Sequence, residues 1–219
     1  PAPTAAVKTA PTPAPNGGEW SEVVAQTDEG GFLVGNPNAP VKVVEFASLT
    51  CSHCGRLSVE GAPELIEKYV KTGQVSFELR NFVRDPADLA AALLSRCGGA
   101  GPYFQLTDQL FAAQEDWFGK LQSINPAELQ SVPQEQVPAV LADRAGLIQF
   151  VRVRGVPAEK ANACLTDQAA IQKLVDMSST AQRDHQISGT PSFLINGQLV
   201  EGASDWAALE PRIRAALGA

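Results

Sequence analysis

Cys51 and Cys54 stand two residues apart in the run Cys51-Ser52-His53-Cys54. That spacing suits two chemistries: a dithiol that cycles with a disulfide, or half of a zinc site. Zinc needs further ligands. No second closely spaced cysteine pair exists, and His53, lying between the two sulfurs, cannot easily reach the same ion, so no metal is expected. The chain holds two more cysteines, Cys97 and Cys164, and one more histidine, His185. Four cysteines allow three pairings. Cys97 and Cys164 are far apart in sequence, which suits a long-range structural bridge, and such a bridge would point to an oxidising compartment. Two buried free thiols are the alternative.

A cysteine reacts as its thiolate, so its position in the fold matters. Residues 41–46 are rich in β-branched side chains and read as a buried strand. A helical stretch over 52–71 follows, with Gly61 and Pro63 set to kink it and Gly73 to stop it. Cys51 then sits where unpaired N–H groups and the positive end of a helix face its sulfur. Free cysteine has a pKa near ~8.5, and strongly activated ones fall to ~3.5. That shift requires about 7 kcal/mol of thiolate stabilisation. The helix end contributes only ~0.3–2 kcal/mol. Direct hydrogen bonds and a nearby positive group must supply much of the rest, and His53 is the obvious candidate for the positive group. Cys51 is expected to be the exposed, attacked sulfur, and Cys54 the deeper partner that reforms the disulfide or releases a trapped complex. A stabilised thiolate favours the reduced form, so such a pair gives its disulfide away.

The remaining elements frame this site. Residues 75–82 alternate as a second core strand. From Asp85 the texture turns helical: Asp85 can cap, Pro86 suits the first helical position, and Leu89, Leu93 and Cys97 share one face. After the glycine-rich break at 98–101, helices are predicted at about 102–114, 126–131, 138–153, 157–164 and 167–184, the last capped by Thr166. Strand texture returns at 192–195. Asn196-Gly197 signals a hairpin into 198–200, and a helix closes the chain over 205–217. Strands on both sides of a helical block predict one α/β sheet domain, residues 31–84 and 187–219, with an all-helical insertion at 85–186. Residues 1–30 read as a disordered Pro/Ala-rich tail or linker, either dispensable or a tether from a removed segment or lipidated terminus.

Composition narrows the classes. Of 219 residues, 44% are hydrophobic and 19% charged, which is ordinary for a globular chain. The net charge of -7 offers no basic footprint, so nucleic acid is not expected as a partner. No run of about 18 apolar residues exists to span a membrane. The chain opens on Pro1 with no apolar signal segment, so it is expected to be a processed or trimmed form.

The strand, the Cys-x-His-Cys helix start and the distant Gly189-Thr190-Pro191-Ser192-Phe193-Leu194-Ile195-Asn196-Gly197 together resemble the DsbA-like branch of the thioredoxin superfamily, from about Gly31 to Leu217. The resemblance implies a thioredoxin fold with an inserted helical domain. It implies that Pro191 is a cis-proline beside the active-site pair, at low cost for an X–Pro bond, with Thr190 and Ser52 meeting substrate. It implies that Glu45, six residues before Cys51, is a buried acid that helps move the proton of Cys54. An extra bridge in the helical insertion, structural or redox-active, resembles some relatives and fits Cys97 and Cys164. Many family members carry proline where this chain has Ser52, and strongly oxidising ones often have valine where it has Thr190.

The expected function is introduction of disulfides into unfolded or reduced secreted proteins in the periplasm. No cofactor beyond the Cys51–Cys54 disulfide is implied. Recharging would come from a membrane oxidase resembling DsbB, and a monomer is expected. A disulfide isomerase or reductase of the same fold is the closest alternative, and a non-catalytic peptide-binding chaperone the next.

Overall fold

The computed structural model describes residues 11–218. Its strands are β1 (Val24–Gln26), β2 (Phe32–Gly35), β3 (Val41–Ala47), β4 (Val75–Asn81), β5 (Ser192–Ile195) and β6 (Gln198–Leu199). They form one sheet in the order β1-β2-β4-β3-β5-β6. β3 runs parallel to β4 and antiparallel to β5, and all other pairs are antiparallel. Between β3 and β4 lie α1 (Ser52–Glu60), α2 (Ala62–Leu65) and a π turn at Ile66–Val70. The predicted kink is a break at Gly61. A side chain there would meet Trp206 Cβ at 2.8 Å and Leu57 Cδ1 at 2.9 Å. Gly73, at φ +72°, turns the chain into β4.

Between β4 and β5 the chain forms α3 (Pro86–Arg96), α4 (Ala100–Ala112), α5 (Gln114–Leu121), α6 (Pro126–Gln130), α7 (Val137–Arg144), α8 (Leu147–Arg152), α9 (Ala158–Thr166) and α10 (Gln168–His185). The fold is therefore thioredoxin-like with a helical insertion. α11 (Trp206–Leu217) follows β6, and Asp205 Oδ1 accepts from Ala208 N to cap it. The Asn196-Gly197 turn has φ +50° and +79°, as a two-residue hairpin requires.

Alternation along β3 divides the interior. Val41, Val43 and Ala47 share Glu45's face and belong to the large core that also holds Cys51, Cys54, α3, α4 and α11 side chains. Val44 and Phe46 face the other way, where they pack with Phe82, Ala181, Ile187 and Leu194.

Three sequence expectations change. The tail is shorter than residues 1–30. Residues 1–10 lie outside the described residues, but Thr12 N already donates to Thr72 O (3.0 Å), buried Trp20 donates from Nε1 to Thr12 O (2.7 Å), and β1 pairs with β2. β1 carries mostly exposed side chains, so backbone pairing formed it without an apolar alternation to reveal it. The stretch 138–153 is two helices, because Gly146 adopts φ +74° between them. Asp167, not Thr166, caps α10. Its Oδ1 accepts from Ala169 N and Ala170 N, while the Thr166 hydroxyl turns back to Asn162 O and Ala163 O.

Cys97, at the C-terminal end of α3, is bonded to Cys164 on α9, 67 residues away. Closing a loop of that length restricts the unfolded chain by about 4 kcal/mol. Replacing both cysteines by alanine is expected to lower unfolding free energy by roughly that amount in urea titrations. A loss below about 1 kcal/mol would show that the bridge does not act through loop closure.

Candidate active site

Cys51 ends the loop after β3 and is the N-cap of α1. Its N–H donates to Ser48 O (3.1 Å), and its carbonyl accepts from Gly55 N (3.0 Å) to start the helix. Cys54 lies one turn in. Cys51 is only 5% exposed, not the exposed residue expected, because the Thr190 loop lies against its sulfur; Cys54 is 0% exposed, and the two sulfurs are unbonded. The Thr190–Pro191 peptide bond is cis, and it brings the Thr190 carbonyl to 3.2 Å from the Cys51 sulfur, which donates to it as a thiol.

The two thiols are electrically unlike. Hydrogen bonding from the Cys54 thiol leads a set of groups that pull Cys51 down to about 4. The Thr190 side chain and the N–H groups of Cys54 and His53 add to it, against the opposing effect of burial. Burial holds Cys54 well above the usual thiol range, reinforced by its bond to Cys51 and by the charge of Glu45. So Cys51 carries the negative charge and Cys54 the proton. The Thr190 hydroxyl is buried and has no partner in the dithiol state. There the Cys51 proton goes to the Thr190 carbonyl. Ionisation of Cys51 provides the hydroxyl with its acceptor.

Ser52 and His53 are exposed. Arg56 Nη2 stands 3.1 Å from His53 Nδ1, and a guanidinium only donates, so that ring nitrogen is an acceptor. What His53 contributes to the sulfur is its backbone N–H. The direct hydrogen bonds expected from the pKa arithmetic are present. His185 lies elsewhere. Its ring packs 5.7 Å from that of Phe46, on the sheet face away from Glu45, in a cleft of about 1020 Å³ beside α10.

Glu45 is 5% exposed on β3, beside Leu79 and Phe193 of the neighbouring strands. Burial pushes it up to about 8, and the charges of Asp108 and Cys51 push in the same direction. Asp108 reaches this region from α4, where it accepts from the Ser58 hydroxyl of α1 (3.0 Å).

Sequence reasoning missed the groups that hold the loop before Cys51. Asp88 on α3 is buried and accepts from Leu49 N (2.7 Å) and Arg84 N (3.1 Å). Arg84 donates from Nε to Ser48 Oγ (2.9 Å) and from Nη2 to Thr50 Oγ1 (3.2 Å), and the Thr50 hydroxyl donates to Asp85 Oδ2 (2.7 Å). Gln114 of α5 meets the same loop from the other side. Apart from the local Arg84 N–H to Asp88 bond, these cross between segments tens of residues apart. Asp85, read as a helix cap, and Asp88, whose charge suits the positive end of that helix, had local signals for the helix but none for the loop.

A family model described as thioredoxin matches residues 27–215. A crystal structure of a protein-disulfide isomerase from Novosphingobium aromaticivorans superposes with a TM-score of 0.81 at 34% identity, covering 85% of this chain and 97% of that one. The alpha-DsbA1 structure of Wolbachia pipientis gives a TM-score of 0.68 at 26% identity, covering 85% and 90%.

The chain belongs to the thioredoxin superfamily, in its DsbA-like branch.

Among curated sequences, a Rickettsia bellii chain named as a protein-disulfide oxidoreductase is 28% identical over 183 residues, 84% of this DsbA-like chain. The DsbA-like chain spans 63% of that relative's length.

Two outcomes follow from the site's electrostatics. Thr190→Val keeps the backbone and the side-chain shape but removes the hydroxyl. It is expected to raise the Cys51 pKa by about one unit, the strength of one hydrogen bond to a charged group, read from thiolate ultraviolet absorbance. An unchanged titration would remove the hydroxyl from the site's chemistry. Glu45 has a folded pKa above its unfolded value near 4.5. Its protonation therefore favours the fold fully below 4.5, and that advantage is lost as pH rises through about 8. Glu45→Gln is expected to match the parent's stability in acid and to exceed it by roughly 3–5 kcal/mol above the folded pKa. Urea unfolding of the reduced proteins across this range checks it, and a pH-independent difference would contradict it.

Proposed function

We propose that this chain is a thiol–disulfide oxidoreductase working as a dithiol oxidase on reduced, unfolded proteins outside the cytoplasm. The observation that carries the reading is the contrast between the two sulfurs: Cys51 is held as thiolate down to about pH 4, while buried Cys54 keeps its proton.

The exchange balances as follows. A substrate thiolate attacks Cys51 of the Cys51–Cys54 disulfide, and the Cys54 sulfur leaves with the electron pair and takes up a proton. Glu45, whose carboxyl is itself pushed up to about 8 by burial, is the group that relays that proton. A second substrate thiolate attacks the substrate sulfur of the mixed disulfide. Cys51 departs as a stabilised thiolate. The substrate is oxidised by two electrons and the pair is reduced. A thiol of low pKa leaves fast and attacks poorly, which drives the exchange toward donation. The extended backbone at Thr190, freed by the proline beside it, is the place where a substrate strand would pair.

The resemblance supports three further assignments: a periplasmic location, recharging by a membrane oxidase resembling DsbB, and action as a monomer without a cofactor. The Cys97–Cys164 bridge suits an oxidising compartment. No helix among the described residues is long and apolar enough to cross a membrane.

An isomerase is the second reading. It is favoured by the name of the Novosphingobium relative and by Thr190 in place of valine. The reduction potential of the couple against glutathione separates the two. An oxidase is expected at a potential more oxidising than about -180 mV, the region of protein disulfide isomerase. Cys54→Ala is expected to accumulate mixed disulfides with a disulfide-containing secreted protein: the Cys51 thiolate attacks one substrate sulfur, the other leaves as a thiolate, and no Cys54 remains to resolve the adduct. A more reducing couple, with faster rescue of scrambled disulfides than oxidation of reduced ones, would favour the isomerase. Absence of any thiol-reversible adduct would argue for a non-catalytic chaperone.

A further inference from the structure

Gln114 is the first residue of α5, inside the helical insertion, and is 7% exposed. Its side-chain amide spans the gap to the catalytic loop. Nε2 donates both protons, one to Leu49 O (2.7 Å) and one to Cys51 O (3.0 Å). The Leu49 carbonyl has no other donor among the described residues. The Cys51 carbonyl is also the first acceptor of α1, taking the Gly55 N–H. Both backbone polar groups of Leu49 are thus held by the insertion: its N–H by Asp88 of α3 and its carbonyl by Gln114 of α5.

The residue after the cysteine pair makes room for this. A Cβ at Gly55 would lie 3.1 Å from Gln114 Oε1 and 3.4 Å from Cδ, tighter than ordinary packing. The glycine of Cys54-Gly55 therefore lets the amide lie against the first turn of α1.

We propose that Gln114 is a positioning residue for disulfide exchange: by holding the carbonyls of Leu49 and Cys51, it fixes the Cys51 sulfur against the donors that stabilise its thiolate. The Cys51 sulfur draws on the N–H groups of His53 and Cys54 and on the Thr190 side chain, and such bonds weaken steeply as distance and angle depart from ideal. Loss of the amide leaves the Leu49 carbonyl buried without a donor, so the loop must shift toward water or another donor. Any such shift moves Cys51 relative to α1 and to Thr190. An amide is the side chain of this length that can supply both bonds. A carboxylate has no proton to give and would set its lone pairs against two carbonyl oxygens.

The inference rests on the exchange chemistry proposed above, but it is judged by differences from the parent protein, whereas the parent's own potential judges that chemistry. The variant is Gln114→Met, close in length and without a donor. The Cys51 pKa is read by thiolate absorbance, and the equilibrium with glutathione by the fraction oxidised. The expected result is a Cys51 pKa raised by about one unit and an oxidised form favoured about tenfold more than in the parent. A folded variant with a Cys51 pKa within about 0.3 unit and a glutathione equilibrium within about twofold of the parent, even with a lower melting temperature, would make Gln114 merely structural and overturn the proposal. Gly55→Ala is the second variant, because it keeps the amide but forces it aside. It is expected to move both readouts in the same direction, and unchanged values there overturn the proposal if Gln114→Met does not fold.

Discussion

Everything at this site depends on holding a negative charge on one sulfur. Water would stabilise a thiolate at an exposed surface. Here Cys51 as a residue is only 5% exposed, so protein donors must replace much of the water. The Cys54 thiol, the Thr190 side chain and two α1 N–H groups do so. They come from two separate pieces of chain, α1 and the loop before β5. Their convergence is therefore a tertiary property, and the Cys-x-x-Cys spacing alone does not supply it.

The sheet and the insertion each contribute one half of that convergence. β3 lies between β4 and β5, so the loop leaving β3 and the loop entering β5 meet at one end of the sheet. This places Cys51 beside Thr190. The insertion then clamps the loop from outside the sheet. Asp88 is the costly member, since burial pushes its carboxyl up to about 7 despite three hydrogen-bonding groups acting to hold it ionised. A buried carboxylate persists only where donors surround it, and here they are the Leu49 and Arg84 N–H groups and the Ser48 hydroxyl. The helical insertion is thus part of the active site's frame, although no helix from α3 to α10 contributes a reacting atom.

What was legible in the sequence was local. The cysteine pair, the strand at 41–46, the Asp85 cap and the Asn196-Gly197 turn each obey rules that span a few residues, and Asp85 does accept from Asp88 N at 2.8 Å. Thr190-Pro191 was legible through resemblance. β1 and β2 were not, because β1 is three residues long and mostly exposed, and β2 is four. α5 was missed as well, and with it Gln114. The α4–α5 break falls at Ala113, whose φ of -97° and ψ of 11° need no glycine or proline to mark them. A glutamine near a predicted helix end carries no signal that it will meet a carbonyl 65 positions earlier. His53 shows the opposite error: adjacency suggested its ring, but the backbone makes the contact.

Glu45 and the two cysteines share one buried charge. Cys51 raises the pKa of Glu45, so an ionised Glu45 would in turn oppose the Cys51 thiolate by the same interaction. Glu45 also pushes Cys54 upward. Burial and mutual repulsion disfavour a second charge among these three acidic groups, and the donors around Cys51 decide which of them carries it. In the reduced state the charge sits on Cys51, leaving Glu45 and Cys54 protonated. Forming the Cys51–Cys54 disulfide removes that charge and with it one of the causes that raise Glu45. The carboxyl then ionises more readily in the oxidised state than in the reduced one. A Glu45 ionised in the oxidised state must take up a proton before it can pass one to the departing Cys54, and the negative charge that develops on that sulfur raises its affinity for the proton. The buried acid and the activated thiolate are two consequences of one electrostatic constraint, and neither can be altered without moving the other.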